Sequence, residues 1–238
     1  MSEILNTSYL TFLQRSGVTT FLQNSPNNFY TLNTNKKINL ISDKIEDISD
    51  IKELEFFINT YDRCDLKQHA KKTVIGDGNI KADIMLIGEA PGAEEDKIGR
   101  PFVGAAGQLL NKMLAAIKLE RDNVYITNVI PWRPPNNRTP SNEEILQCLP
   151  FVQRHIELVN PKFILLLGST AAKAILSTSL SIAKLRGNWH DYKSLNLNRA
   201  ILCLATYHPA FLLRSPNYKK KSWEDLQILQ QKILDENL

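Results

Sequence analysis

The sequence predicts an α/β fold, namely a three-layer α/β/α sandwich around a mostly parallel four-stranded sheet. Four short runs rich in apolar residues are typical of strands buried on both faces. Amphipathic helical patterns separate these runs, which favours crossover connections between parallel strands. Polar residues follow the runs, and they would therefore lie at the carboxyl ends of the strands, where open α/β sheets have their functional sites. The predicted strands are 84–87, 124–130, 163–167 and 200–206.

Composition places the chain among ordinary globular proteins. Of its 238 residues, 43% are hydrophobic and 23% are charged. The net charge of +4 suits an anionic partner. No apolar run has the length of a membrane span, and the N-terminus lacks the order of a secretory signal. Three widely spaced cysteines do not make a disulfide framework. We therefore expect a cytoplasmic monomer without membrane contact.

The chain divides near residue 50. Residues 1–50 are rich in Asn, Ser and Thr and show no sustained period, which predicts an N-terminal appendage with a flexible linker. The remaining residues, 51–238, carry every strong pattern and predict one domain. Within it, residues 51–61 have helical spacing, and 74–79 predict a short strand followed by a turn.

The residues from 87 to 110 form the most informative stretch of the chain. They read IGEAPGAEEDKIGRPFVGAAGQLL, which predicts a strand, a glycine-rich polar loop and an amphipathic helix. Pro91 fixes φ, while Gly88 and Gly92 permit close approaches that a Cβ would forbid. Such a rigid loop suggests that something binds against it.

The second half of the domain continues the alternation of helices and strands. Ser141 and Glu144 predict a capping box that opens a helix, and Pro150 inside that helix predicts a kink or two abutting helices. A basic loop at 181–189 precedes a predicted edge hairpin. Ser222 and Asp225 predict the cap of a final helix at 223–234.

Several common α/β enzymes are excluded by their missing motifs. The sequence has no phosphate-binding G-x-x-x-x-G-K-[ST] pattern, no complete dinucleotide fingerprint and no G-x-S-x-G elbow. No His and Cys residues have the spacing of a zinc site. The remaining candidates are Glu89, Asn128 and His208 at strand ends and Phe102 in the glycine-rich loop.

These residue types are what a pocket for a flipped nucleobase needs. An aromatic ring can stack on the base, an amide can bond its Watson–Crick edge, and an imidazole can donate to an oxygen that gains charge. Basic side chains can hold phosphates, and apolar side chains can wedge into the base stack. The alternatives are a core role for Phe102 and solvated or packing roles for the basic and leucine residues. The candidate DNA contacts are Lys184, Arg186, Leu212, Leu213, Arg214 and Lys219.

Three segments resemble the uracil-DNA glycosylase superfamily, specifically family 4. They are residues 88–110, VYITNVIPWRPPNNRTP and HPAFLLR, and the similarity extends from about residue 61 to 234. The resemblance implies hydrolysis of the bond between uracil and deoxyribose in single- or double-stranded DNA, as in base excision repair.

The resemblance also implies roles for individual residues. Phe102 would stack on uracil, Asn128 would bond its polar edge, and His208 would donate to a carbonyl of the departing base. Glu95 matches a position that crowds out a thymine methyl. The loop from His208 to Arg214 would enter the minor groove. Ala90 stands where other families have a water-activating aspartate, so the resemblance leaves Glu89, a bound water or the substrate's phosphates to help the attack.

The cofactor is where the sequence departs from the family. Family 4 is described as carrying a [4Fe–4S] cluster on four cysteines. Here Cys64 and Cys148 match two of those positions, whereas Tyr61 and Trp132 replace the others. Because a cluster needs four thiolates in most cases, we expect none, with the two aromatic rings packed in its place.

Two other functions stay open at this point. A glycosylase of the same fold could act on another deaminated base, such as hypoxanthine or xanthine, because Ala90 leaves room in the pocket. A catalytically inactive DNA-binding module is the second alternative. The presence of Glu89, Phe102, Asn128 and His208 together argues against it.

Overall fold

Six strands form the central sheet in the computed structural model, which describes residues 45–237. Helices cover both faces, so the predicted α/β/α sandwich is confirmed. The strands are β1 (Gly76–Gly78), β2 (Ile84–Gly88), β3 (Val124–Asn128), β4 (Phe163–Leu167), β5 (Trp189–Tyr192) and β6 (Ile201–Thr206).

The strand order is β1-β3-β2-β4-β6-β5. The four inner strands are parallel and are the four predicted from their apolar runs. The predicted number of strands is wrong, because β1 and β5 add one antiparallel strand at each edge. Both are short and only partly buried, so they lack the apolar run that identifies an inner strand. The parallel register places Gly88 of β2 opposite Asn128 of β3.

The helices follow the predicted alternation, but residues 93–98, 182–185 and 209–214 are helical where loops were predicted. A capping box of Ser141 and Glu144 opens α5 (Asn142–Val159) as predicted, but α5 is one uninterrupted element that contains Pro150, so the alternative of two abutting helices is wrong. The last helix begins at Lys219, and the cap predicted at Ser222 is wrong. The helices are α1 (Ile51–Thr60), α2 (Asp65–His69), α3 (Ala93–Ile98), α4 (Ala105–Ala116), α5 (Asn142–Val159), α6 (Ser169–Leu176), α7 (Ile182–Leu185), α8 (Pro209–Arg214) and α9 (Lys219–Asp235).

Alternate residues of the inner strands supply two hydrophobic layers. Side chains such as Met85 and Ile87 pack with α1, α2, α5 and α6 on one face. Leu86 and Ile126 pack with α4, α8 and α9 on the other face. Helices fill both faces of the sheet. We therefore expect the functional site at the edge where the parallel strands have their carboxyl ends.

The folded core begins before the predicted boundary at residue 50. Ile45 and Ile48 are buried in the hydrophobic layer that contains Met85 and Ile87. Arg154 donates a hydrogen bond to the carbonyl oxygen of Ile48. The appendage predicted for the segment before Ile45 lies outside the described residues. Within the described part of the chain, no helix is both long and apolar enough to cross a membrane.

Candidate active site

The predicted polar residues meet at the carboxyl edge of the parallel strands. Asn128 is the last residue of β3, and Glu89 directly follows β2. His208 lies two residues after β6 and is the N-cap of α8. The crossover topology therefore brings together residues that are far apart in the chain.

Gly88 lies beneath two of the predicted pocket residues. A Cβ added at Gly88 would lie 2.4 Å from Asn128 Oδ1 and 2.5 Å from Phe102 Cζ. The amide and the aromatic ring therefore both border the end of β2. Phe102 and Asn128 are buried, with 6% and 5% of their surface exposed.

His208 completes this group from the other side. Its ring centroid lies 5.6 Å from that of Phe102, with 31° between the planes. Gly168 permits this approach, because a Cβ there would lie 2.8 Å from His208 Cβ, and its φ of +94° suits glycine. Phe102, Asn128 and His208 therefore face one place, and we call this group the pocket triad.

The imidazole of His208 is held as a neutral hydrogen-bond donor. Its Nδ1 accepts a hydrogen bond from the backbone N–H of Ala210 at 3.1 Å, so the proton of the neutral ring is on Nε2. Burial, assisted by the positive charge of Arg214, lowers the pKa of His208 to about 4, although Glu95 opposes the shift. The ring is neutral at pH 7 and presents Nε2–H as its free donor.

Asn128 carries an unsatisfied acceptor. Within residues 45–237, no hydrogen-bond donor reaches its buried Oδ1 atom. Buried polar atoms without a partner are rare in folded proteins, because the lost hydration is not replaced. An orphan acceptor beside an aromatic ring and an imidazole donor fits a flat heterocycle that carries its own N–H group.

Glu89 is oriented by a residue that the sequence analysis missed. Thr170 donates a hydrogen bond from Oγ1 to Glu89 Oε2 at 2.6 Å. The two residues are 81 positions apart, and no pattern in the sequence links them. Beside them lies a groove of about 430 Å³ that Thr139 and Lys173 also line. The neighbouring Ala90 packs against the hydrophobic core and offers no polar group.

Glu95 uses its carboxylate to hold the glycine-rich loop. Its Oε1 accepts hydrogen bonds from the backbone N–H groups of Val103 at 2.9 Å and Gly104 at 2.8 Å. Its Oε2 accepts from the N–H of Gly92 at 3.1 Å. The bond from Gly92 belongs to the capping box that opens α3, and the other two fix the loop immediately after Phe102.

The predicted DNA contacts fall into two groups. Leu213 is 44% exposed, and Lys184, Arg214 and Lys219 are exposed as well. Leu212 is only 1% exposed and packs in the core, so of the two leucines only Leu213 is free to enter a base stack.

Arg186 belongs to an internal network. Its Nε donates to Asp225 Oδ2 at 3.1 Å, and the same oxygen accepts from Thr206 Oγ1 at 2.7 Å. The hydroxyl of Thr206 also lies 3.0 Å from Ser222 Oγ, so the side chains of Ser222 and Asp225, both inside α9, bond β6 and do not cap the helix. The network anchors the end of β6, two residues before His208.

The residues present do not fit a four-thiolate cluster. Tyr61 and Trp132 stack with ring centroids 6.2 Å apart and 15° between their planes, and Phe151 meets both rings edge-on. Cys64 and Cys148 are buried free thiols. A hydrogen bond with Cys148 is the main cause that lowers the pKa of the Cys64 thiol. No set of three or more metal-ligating side chains occurs within the described chain.

Comparisons with known proteins point to one family. A family model described as the uracil DNA glycosylase superfamily matches residues 75–227. The chain is 40% identical over 181 residues to a type-4 uracil-DNA glycosylase of Pyrobaculum aerophilum, covering 74% of this chain and 91% of that protein. It is 45% identical over 174 residues to the type-4 enzyme of Sulfurisphaera tokodaii, covering 71% and 78%. The type-4 enzyme of Saccharolobus solfataricus is 42% identical over 176 residues, covering 72% and 81%.

Proposed function

This chain belongs to the uracil DNA glycosylase superfamily, and from that premise we propose that it hydrolyses the N-glycosidic bond of uracil in DNA. The observation that carries the proposal is the Oδ1 atom of Asn128, which is buried beside Phe102 and His208 and has no hydrogen-bond partner among the described residues. Uracil is flat, its N3–H group can donate to this oxygen, and its carbonyl oxygens can accept from the amide and the imidazole. A base must leave the DNA stack to reach such a site, so the reaction includes base flipping.

His208 promotes departure of the base as an anion. The bond between C1′ of deoxyribose and N1 of uracil breaks with its electron pair on the base, so negative charge develops on the uracil oxygens. A neutral Nε2–H donor stabilises that charge without transferring its proton. Preorganised donors of this kind contribute roughly 10²–10³-fold to the rate in other enzymes.

Glu89 assists the attacking water. As the base departs, water adds to C1′ and its proton passes to the Glu89 carboxylate. The hydrogen bond from Thr170 occupies Oε2 and leaves Oε1 to accept from water. Ala90 has no group that could take the proton, so the role falls to the neighbouring carboxylate.

The surface around α8 contacts the DNA backbone. Leu213 lies on α8 and wedges into the stack that the flipped base leaves, while Arg214 and Lys219 neutralise phosphates.

Every group of the pocket triad comes from one chain, which supports action as a monomer. Cys64, Cys148 and Cys203 are free thiols, as in a reducing compartment such as the cytoplasm.

The enzyme works without an iron–sulfur cluster in this proposal. The stacked rings of Tyr61 and Trp132 support it, because they stand where two of the family's thiolates would be. Protein purified without oxygen should contain no iron or acid-labile sulfide and should lack cluster absorbance in the visible range. A Tyr61→Cys, Trp132→Cys variant treated identically serves as the comparison. About four irons per chain in the natural protein would contradict the proposal.

Release of free base from an oligonucleotide with a single uracil tests the function. The natural protein should release uracil, and Asn128→Ala and His208→Ala should each lose roughly 10²–10³-fold in rate. Exposed residues of the same types supply matched controls, Asn59→Ala and His69→Ala, which should retain full activity.

Two outcomes would overturn the proposed function. Release of hypoxanthine or xanthine without release of uracil would assign the pocket to another deaminated base. Tight binding of DNA without release of any base would make the protein a binding module.

A further inference from the structure

Phe102 has a backbone conformation that an aromatic residue rarely adopts. Its φ is +52°, in the left-handed region that favours glycine. A bulky residue stays in this region only when neighbouring contacts hold it there. The conformation determines where the ring lies over Gly88, so the contacts that hold Phe102 also determine the shape of the pocket.

Arg121 holds the carbonyl side of this turn. Its Nη1 donates to the carbonyl oxygen of Phe102 at 3.1 Å, and its Nη2 donates to that of Pro101 at 2.5 Å. On the following residues, the N–H groups of Val103 and Gly104 donate to Glu95. The backbone is therefore bonded on both sides of the ring.

Asp77 orients Arg121 and connects it to the sheet. Its Oδ2 lies 2.6 Å from Arg121 Nε, and the two side chains are only 17% and 18% exposed. Asp77 is the middle residue of β1, paired with Ile126 of β3. Burial opposes its ionisation, but hydrogen bonds from Arg100 and Arg121 outweigh that effect and hold the pKa of Asp77 below its usual value.

We propose that Arg121 and Asp77 are positioning residues that fix the Phe102 ring as the stacking surface for the base. The inference rests on the proposed function and deepens it, since it assigns part of the affinity for the base to a pair that does not touch it. The guanidinium bonds two backbone carbonyls, a carboxylate and the amide oxygen of Asn111 at once. Lysine keeps the charge but lacks the planar fork, so it cannot reproduce this geometry.

Arg199 offers a matched control at the opposite edge of the sheet. Its Nη2 likewise donates to two successive backbone carbonyls, those of Asn160 at 3.1 Å and Pro161 at 2.9 Å. It precedes β6 at the amino edge, away from the pocket triad. Arg199→Lys therefore makes the same exchange of residue types at another arginine that binds backbone carbonyls, without affecting Phe102.

The test is a double-mutant cycle in uracil release. Stacking on an aromatic ring contributes about 5- to 150-fold to base binding, so Phe102→Ala should lower kcat/KM by about that factor. Arg121→Lys and Asp77→Asn should each lower it about tenfold or more, mainly through KM. Adding Arg121→Lys to Phe102→Ala should cause little further loss, because the ring to be positioned is gone. Arg199→Lys should keep the natural kcat/KM.

Hydrogen exchange of the Val103 and Gly104 amides supplies a readout that does not depend on activity. Arg121→Lys should accelerate exchange at these amides, whereas Arg199→Lys should not. If the natural protein releases no uracil, the proposed function fails while the exchange result still decides the positioning role. Unchanged exchange in folded Arg121→Lys would overturn the inference. A double variant whose loss of kcat/KM equals the product of the two single losses would overturn it as well, because the two residues would then act independently.

Discussion

Gly88 is the position at which a single added atom should disable the pocket. Its φ lies outside the left-handed region, so alanine can adopt the backbone conformation without strain. The new Cβ would lie 2.4 Å from Asn128 Oδ1 and 2.5 Å from Phe102 Cζ, where an ordinary contact begins at 3.4 Å. The amide and the ring must therefore each move by about 1 Å to restore an ordinary contact with that carbon.

The size of the effect follows from this displacement. A misplacement of about 1 Å can cost roughly 10²-fold in rate, so Gly88→Ala should release uracil about a hundred times more slowly than the natural protein. Overpacking of this kind typically costs about 1–3 kcal/mol of stability. At about 2–4 °C per kcal/mol for a chain of this size, the melting temperature should fall without loss of the fold at 25 °C.

Single-turnover uracil release, measured beside a thermal melt, is the appropriate assay. Gly104→Ala is the matched control, because the atoms nearest to a Cβ there would be Glu95 Oε1 at 3.3 Å, Glu94 Cβ at 3.6 Å and Glu95 Oε2 at 3.7 Å. It should remain within about threefold of the natural rate, far less than the loss expected for a 1 Å displacement. Folded Gly88→Ala with the natural rate would refute the reasoning, since Phe102 and Asn128 would then not need their present positions.

Three further predictions concern pH, packing and DNA. Burial lowers the pKa of His155 to about 4, so its contribution to stability is intact above pH 6.5 and is lost as the pH falls from there towards 4. Urea unfolding at pH 7 and pH 5 should show this loss, and His155→Gln should reduce it. Trp132→Ala should cost about 3–5 kcal/mol in the same assay, whereas the 39% exposed Trp223 should tolerate alanine. Leu213→Ala should slow release from duplex DNA more than from single strands, because a wedge is needed only where a partner strand maintains stacking.

The inner sheet was predictable because burial on both faces leaves a strong pattern. Each of the four parallel strands is a short apolar run, and their common direction follows from the helices between them. Because Asn128 and His208 lie at or just after the ends of parallel strands, their position at one edge of the sheet was predictable as well. The edge strands β1 and β5 are too short and too exposed to leave such a pattern, so the sequence indicated only a short strand within 74–79 and an edge hairpin after the 181–189 loop, and neither entered the predicted sheet.

The contacts that orient the site were not predictable, because they join residues without a common motif. Thr170 reaches Glu89 across 81 positions, and Arg121 reaches Asp77 across 44. Leu212 is buried because α8 packs on the hydrophobic layer that contains Leu86 and Ile126, and the local sequence does not specify this packing. Ser222 and Asp225 matched a capping pattern, yet they lie inside α9 and their side chains bond Thr206 of β6.

A crystal structure of the protein with uracil bound tests the central claim most directly. We expect the uracil ring to stack on Phe102 and its N3 to lie about 2.7–3.2 Å from Asn128 Oδ1. His208 Nε2 should lie within the same range of a uracil carbonyl oxygen. Uracil bound elsewhere, with that amide oxygen still lacking a partner, would contradict the account.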